Sequence, residues 1–230
     1  MKKPLRAPQA AQSYATRRWP RRVRSYRDRC WVTGCKRYQA DGSALHFTAE
    51  EQGRRHLYRF DLNDGNAREA VTGGWVQQFD VAGDVVVTAA DAMDHPVRVH
   101  AHREDEPALR LESFNDDKLK ALRFGPHEAV QVTGALGEPV QMWLIYPPHF
   151  DPKKKYPLLH SIHGGPHAAA GDTFHYRWNN HVFAAQGYVV ACVNYHGSSG
   201  FGYAFLDSIT HRWGELELQD VEAGTDWLLK

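Results

Sequence analysis

Hydrophobic and polar residues alternate over short segments in the first half of the chain, between residues 38 and 125. Asn63-Asp64-Gly65-Asn66 follows one such segment and is typical of a hairpin turn. Strands this short and closely spaced favour a sandwich, a barrel or a propeller, and about six or seven would make nearly two four-stranded blades. That number is too small to close a ring, so we expect exposed strand edges. The predicted strands cover residues 44–48, 56–62, 76–81, 85–88 and 97–102, with one more around Leu109 and Leu111.

The pattern changes after about residue 126, where longer apolar strands are interspersed with helical periodicity. The segment 188–193 is almost unbroken in its hydrophobicity, as in a sheet covered on both faces. The alternation of strands and helices predicts an α/β unit. The predicted strands are 129–132, 140–146, 158–162 and 188–193, and the predicted helices are 176–186, burying Trp178, Val182 and Ala185, and 215–229, burying Leu218, Val221, Thr225 and Leu228.

The net charge of +1 hides a division of the chain at residue 37. Residues 1–37 hold 12 of the 28 Lys and Arg residues and only one acidic residue, Asp28. Three interpretations of this basic segment stay open: a tail for nucleic acid or an anionic surface, an organelle-targeting peptide, or a disordered or foreign leader. The last is favoured because few aliphatic side chains are present to form a core.

The composition of the whole chain is ordinary for a soluble globular protein, with 42% apolar and 24% charged residues. No run of about 18 apolar residues predicts a membrane span, and no apolar stretch after the basic start predicts a signal peptide. Cys30 and Cys35 match no common zinc spacing, and Cys192 lies in an apolar strand where we expect it to be buried.

The strongest candidate for chemistry is His163-Gly164-Gly165-Pro166, directly after the third predicted strand of the second region. Acyl transfer requires backbone N–H groups aimed at the oxygen that becomes negative, and glycines let the backbone approach it closely. An HGG-type loop in this position supplies one such N–H in α/β-hydrolases. A plain strand-exit turn rich in Gly and Pro explains the tetrapeptide equally well.

Several further motifs accompany this loop, and together they resemble the catalytic domain of the prolyl oligopeptidase family, closest to its acylaminoacyl-peptidase and dipeptidyl-peptidase branches. The similarity rests on specific motifs over 139–230, and over 38–125 it rests only on the pattern of predicted strands. The motifs are Tyr146-Pro147-Pro148-His149-Phe150, His163-Gly164-Gly165-Pro166-His167, Trp178-Asn179, Phe183–Val190, Asn194–Gly202 and Trp213-Gly214.

The resemblance implies β-propeller-like blades, all-β, followed by the N-terminal half of an α/β hydrolase. The domains would then be a basic leader over 1–37, partial blades over 38–125, and the N-terminal part of the catalytic domain over 126–230. Gly164 or Gly165 would donate an N–H to the oxyanion hole. The residues expected in loops that shape the site are His163, Pro166, Asn194, Tyr195, His196, Gly197 and Ser198.

The nucleophile of the family should lie on a Gly-x-Ser-x-Gly turn, and none of the eight serines of this chain has Gly at both flanking positions. Lys230 ends the chain in the helix expected before the nucleophile strand. We therefore expect a fragment of a serine-type peptidase that is inactive alone, because the members of a catalytic triad act as a unit. The alternatives are a non-catalytic binding or scaffold protein, a basic-tailed nucleic-acid binder, and an esterase that uses Ser198 or Ser199.

No cofactor and no metal site are predicted. His160, His163 and His167 cluster along the chain, as do His95, His100 and His102, but neither group has a partner carboxylate at a recognisable spacing. The expected partners are a peptide substrate of the full-length parent and a possible complementing chain, with nucleic acid not favoured and no membrane contact. The expected compartment is the cytoplasm.

Overall fold

The computed structural model describes residues 38–40 and 42–230, so the predictions for the basic segment, with Cys30 and Cys35, lie outside the described residues. Eight strands form the first sheet: β1 (Tyr38–Ala40), β2 (Ala44–Glu51), β3 (Arg54–Asp61), β4 (Ala67–Val71), β5 (Trp75–Ala82), β6 (Val85–Ala92), β7 (His95–His102) and β8 (Leu109–Arg110).

Each predicted strand of this region is confirmed, and β1 and β4 are two strands that the alternation did not predict. β1 to β4 pair antiparallel in chain order, and so do β5 to β8. A single parallel bridge between Arg55 and Trp75 joins the two sets of four strands. β4 has no fully buried residue, which explains why its sequence lacks a clear apolar alternation.

The second sheet has four strands: β9 (His127–Thr133), β10 (Pro139–Ile145), β11 (Leu158–His160) and β12 (Val189–Asn194). Their order across the sheet is β11-β12-β10-β9, with β11 parallel to β12 and the other pairs antiparallel. The 158–162 prediction is too long, because β11 ends at His160 and Ile162 is 64% exposed. Within the described residues, β11 pairs with a strand on one side only.

Four α-helices in the described part of the chain connect and flank these strands: α1 (Asp116–Lys120), α2 (Asn180–Ala184), α3 (Tyr203–Asp207) and α4 (Leu216–Leu229), with a 3-10 turn at Ala135–Gly137. Over the described residues, no helix combines the length and the apolar character needed to cross a membrane.

The predicted helix over 176–186 is wrong in its first turn. His175 Nδ1 accepts hydrogen bonds from the backbone N–H groups of Arg177 and Trp178, which holds that segment in a non-helical turn. Asn179 then caps α2 by accepting from the N–H of His181, so the helix begins only after it. Trp178 and Val182, expected to be buried, are 60% and 62% exposed.

The last helix is confirmed, but its buried face differs from the predicted one. Leu216, Asp220 and Gly224, four residues apart, form the buried stripe of α4. Leu218 is 56% exposed, whereas Val221 and Leu228 pack against the core as expected. Because two of the three residues in this stripe are an aspartate and a glycine, a hydrophobicity pattern does not identify it as the buried face.

β10 is the centre of the core, with Met142, Trp143, Leu144 and Ile145 all fully buried. Met142 and Leu144 pack on one side of the sheet with α3 and α4, and Trp143 and Ile145 pack on the other side with α2. Side chains alternate between the faces of a strand, so burial of consecutive residues requires that both faces are covered. Cys192 is buried as predicted, and burial raises the pKa of its thiol to about 12.

Candidate active site

Gly164 and Gly165 lie in the loop that follows β11, the third strand of the second sheet, where the sequence predicted them. Both residues are exposed, and neither backbone N–H donates a hydrogen bond to another described residue. Gly165 has a φ of 131°, a value that side-chain-bearing residues rarely adopt. Pro166 follows it through a cis peptide bond and is half-buried. The loop therefore presents two free donors to solvent.

His163 orients this loop from its N-terminal side. Its ring stacks on that of Tyr195 with a centroid distance of 4.2 Å, and Tyr195 donates its hydroxyl proton to the His163 carbonyl at 2.5 Å. The ring nitrogens lie 3.1 Å from the Gly164 carbonyl and 3.0 Å from Ser198 Oγ. Burial lowers the pKa of His163, so the ring is neutral at physiological pH.

Ser198 is fully buried, and its hydroxyl donates to the carbonyl of Tyr195 at 2.6 Å. Because that proton is already engaged with the Tyr195 carbonyl, the Ser198 hydroxyl does not donate it to His163 Nε2. A general base that activates a serine must accept the hydroxyl proton. The pair therefore holds the two loops together and is not arranged as a nucleophile and base.

Asn194 ends β12 and connects three segments. Its side-chain oxygen accepts from the N–H of Ala170 at 2.7 Å, and its amide nitrogen donates to the Ala170 carbonyl at 3.0 Å and to Gln141. The residue is fully buried, so these bonds satisfy polar groups that would otherwise be costly. Asn194 thereby fixes the segment after the glycines to the sheet.

His196 is also fully buried, and it forms the interior of the Asn194–Gly202 loop instead of facing a substrate. Its backbone N–H and its Nδ1 contact the same carboxylate oxygen of Asp220 at 2.6 and 2.7 Å. The other oxygen of Asp220 accepts from the N–H of Ala135 at 2.7 Å. One buried carboxylate thus ties the loop to α4 and to the 3-10 turn.

Gly197, the next residue, needs its lack of a side chain. Its φ is 96°, and a Cβ added there would lie 2.2 Å from Ile209 Cδ1. Its carbonyl accepts from His167 Nδ1 at 3.0 Å. A glycine at this position lets the loop turn sharply against α3 and its following turn.

The end of β2 and its turn into β3 support both loops, a contact between distant residues that no local sequence pattern predicts. Glu50 accepts a hydrogen bond from Ser199 Oγ at 2.8 Å, and the N–H of Gln52 donates to the Gly200 carbonyl at 3.1 Å. Asp172 donates its N–H to the Gly53 carbonyl at 2.8 Å. The first sheet therefore contacts both the loop after β12, through Ser199 and Gly200, and the segment after the glycines, through Asp172.

A cavity of about 180 Å³ lies beside His163 and is bounded by the segment 169–171, α2 and Cys192. His181 lines this cavity and is 6% exposed, and burial lowers its pKa to about 4. Its ring is therefore neutral near pH 7. The sequence analysis did not select His181, because no recognisable motif contains it.

The comparisons with known sequences agree with this geometry. A family model described as the prolyl oligopeptidase family matches residues 174–230. Dipeptidyl-peptidase 5 of Arthroderma otae is 33% identical over 192 residues, which are 80% of this chain and 26% of that protein. A probable dipeptidyl-peptidase 5 of Aspergillus terreus is 46% identical over 91 residues, which are 40% of this chain and 13% of that protein.

Solved structures of known peptidases have a similar fold over this region. An acylaminoacyl peptidase of Pyrococcus horikoshii superposes with a TM-score of 0.73 at 25% identity, covering 84% of this chain and 30% of that one. Dipeptidyl peptidase 4 of Porphyromonas gingivalis superposes with a TM-score of 0.67 at 25% identity, covering 83% and 28%. The chain thus spans about a quarter of the dipeptidyl-peptidase 5 relatives and under a third of these structures. The resemblance drawn from the motifs is confirmed, and the chain belongs to the prolyl oligopeptidase family.

Proposed function

We propose that this chain provides the oxyanion-stabilising half of a serine-peptidase active site, for acyl transfer from a short peptide to water. The observation that carries the proposal is the pair of N–H groups at Gly164 and Gly165, which donate to none of the described residues and lie beside the hydrogen-bond network around His163. Donors fixed before the reaction stabilise a developing oxyanion without reorganisation at the moment of attack. The peptide substrate follows from the names of the dipeptidyl-peptidase and acylaminoacyl-peptidase relatives.

The two sheets would then belong to two domains of such an enzyme. Two sets of four antiparallel strands over residues 38–110 support partial propeller blades. The order β11-β12-β10-β9, with HGGP after β11, supports the first part of an α/β-hydrolase sheet over 126–230. Such a sheet would continue from the side of β11 that no described strand pairs. A segment carrying the nucleophile strand, whether in the same polypeptide or in a complementing chain, would occupy that edge.

The 230 residues alone are proposed to be inactive towards peptides. No serine lies in Gly-x-Ser-x-Gly, and the Ser198 hydroxyl is buried and donates to a carbonyl. Oxyanion donors without a nucleophile leave only a small part of the catalysis of a serine hydrolase.

A chimera tests the oxyanion role. Residues 126–230 would replace the matching segment of Arthroderma otae dipeptidyl-peptidase 5, and release of a dipeptide from a chromogenic substrate would be measured. Gly164→Pro and Gly165→Pro each remove one N–H. Gly164→Ala keeps that N–H and has open space around its added Cβ, so it is the matched control. We expect one of the proline variants to lose about 10²–10³ in kcat while the alanine variant keeps most of the activity.

Equal activity of both proline variants and the control would contradict the oxyanion role. Because Gly165 has a positive φ, its proline variant is interpreted only if the melting temperature of the chimera is retained. Gly164 is not under that constraint.

A further inference from the structure

Three potential metal ligands from three neighbouring strands of the first sheet lie close together, away from the candidate active site. Glu51 ends β2, His56 lies in β3 and Glu69 lies in β4. One ligand atom from each falls within 4.8 Å of those of the other two. Glu51 pairs with Arg54, and Glu69 pairs with Tyr58, so alternation along β3 places all three on one face.

The local hydrogen bonds leave this cluster with excess negative charge. Tyr58 Oη lies 2.7 Å from Glu51 Oε2 and 3.5 Å from Glu69 Oε1, so one proton serves two carboxylates. His56 does not donate a hydrogen bond to either carboxylate. Both of its ring nitrogens are buried, and neither has a hydrogen-bond partner among the described residues. Its Nδ1 lies 3.7 Å from Glu69 Oε1, beyond hydrogen-bonding distance.

The arginines of β3 and β4 do not supply the missing positive charge. Each is paired with another carboxylate: Arg54 with Asp172, Arg55 with Glu50, Arg59 with Asp61 and Arg68 with Asp64. Burying both nitrogens of the His56 ring without hydrogen bonds, beside two carboxylates, is unfavourable for the free energy of folding. A bound cation would satisfy all three groups at once.

We propose that Glu51, His56 and Glu69 bind a divalent transition-metal ion of the Zn²⁺ class. One imidazole nitrogen and two carboxylate oxygens form a mixed donor set that suits Zn²⁺, which binds both at about 2.0–2.2 Å. An imidazole ligand disfavours Mg²⁺ and Ca²⁺, which prefer oxygen donors alone. Glu69 is half-exposed, so its carboxylate is free to move inwards and water has access to a fourth position.

The ion would be structural, because its ligands flank a turn that supports the candidate active site. Glu51 and His56 stand on either side of the turn at Gln52 and Gly53. That turn contacts the Gly200 carbonyl and the N–H of Asp172. Linking the two strands at its base would restrict the turn, and with it the support of both loops. No close spacing of histidines marks this site in the sequence, because its three ligands meet only after three strands pair.

Zinc titration of the full chain by isothermal calorimetry tests the site. Cys30→Ser and Cys35→Ser would be present in every protein, so that those thiols cannot bind the metal. His56→Ala and Glu69→Gln each remove a ligand, and His149→Ala removes an exposed histidine from the turn after β10 as the matched control. We expect binding at a ratio of one ion per chain to weaken about tenfold or more in both ligand variants and to stay unchanged in the control.

Glu69→Gln keeps the test decisive if His56→Ala fails to fold, since Glu69 is half-exposed and its amide oxygen still accepts from Tyr58. Zinc should also raise the melting temperature of the parent by linkage, and Mg²⁺ should not. Equal zinc affinity in the parent and in Glu69→Gln would overturn the proposal. The proposal would also be overturned if zinc did not change the melting temperature of the parent. The three side chains would then be a histidine–carboxylate cluster without a metal.

Discussion

The two sheets are built from strands of similar length but bury their residues differently. In β10, six consecutive residues from Val140 to Ile145 are buried, whereas β7 buries only Pro96 fully. Strands of the first sheet bury mainly one face. Each residue of this sheet therefore contributes only a small part of the free energy of folding. The second sheet concentrates its burial in one strand covered on both sides. A single substitution should therefore cost far more in β10 than in β7.

The largest expected effect is that of Trp143→Ala. Trp143 is fully buried, its Nε1 donates to the Ala170 carbonyl at 3.1 Å, and the Arg54 guanidinium lies 4.7 Å from its ring centroid. We expect a loss of about 3–5 kcal/mol in the free energy of unfolding, measured by urea denaturation. Val97→Ala in β7, where the side chain is 40% exposed, is the comparison and should cost under about 1 kcal/mol. Similar losses for both would contradict the contrast between the sheets.

The second effect is a dependence of stability on pH that comes from His181 of α2, the helix that packs on the second sheet. The folded protein keeps His181 neutral, because burial lowers its pKa from 6.5 to about 4. The unfolded chain takes up this proton as the pH falls below about 6.5, so stability is full above that pH and declines towards pH 4. The decline from this residue should reach roughly 3 kcal/mol. His163 and His160 have pKa values lowered by burial and act in the same direction.

His181→Phe isolates that term, because it retains a ring beside Phe124 and removes the titrating group. Unfolding free energies measured between pH 7 and pH 4.5 should fall less steeply in the variant than in the parent. Parallel pH profiles would show that His181 does not titrate as proposed.

Gly197→Ala should cost about 2 kcal/mol, from a positive φ and from the contact with Ile209. The comparison is Gly83→Ala in the first sheet, whose φ is 62° but whose Cβ would meet nothing within 4 Å. The difference in unfolding free energy between the two variants contains the contact with Ile209 together with the larger backbone strain at a φ of 96° than at 62°. If Gly83→Ala proves as costly as Gly197→Ala, close packing of the loop against Ile209 is refuted.

The smallest effect concerns the contact between the sheets. Glu50 lies in β2 of the first sheet and accepts a hydrogen bond of 2.8 Å from Ser199 in the loop after β12, while Arg55 also pairs with Glu50. A double-mutant cycle with Glu50→Gln and Ser199→Ala should give a coupling energy of about 0.5–1.5 kcal/mol. Additive effects would mean that the β2–β3 turn does not support the loop.

Local patterns were sufficient to predict most of the strands and the position of HGGP after the third strand of its sheet. They failed where a polar group determined the outcome. His175 and Asn179 delay the start of α2, and Asp220 occupies a buried face of α4 that a hydrophobicity pattern assigns to other residues. A buried polar residue looks like a surface residue in the sequence until its partner is known.

The candidate site was predictable only in part for the same reason. Gly164 and Gly165 have a local signature, because their role depends on backbone geometry within one loop. The bond that Ser199 donates to Glu50 and the contact of His196 with the Asp220 carboxylate join residues 149 and 24 positions apart, and no spacing rule connects them. The Glu51, His56 and Glu69 cluster likewise depends on strand pairing.

The most direct test of the central claim is the reaction of the folded 230-residue chain with a fluorophosphonate, which labels activated serines. We expect no stoichiometric labelling, because no serine has the required motif and the buried Ser198 hydroxyl donates its proton to the Tyr195 carbonyl. Cooperative thermal unfolding of the same sample would establish that the chain is folded. Stoichiometric labelling at Ser198 or Ser199, lost in the corresponding alanine variant, would contradict the account and show a complete hydrolase site within these residues.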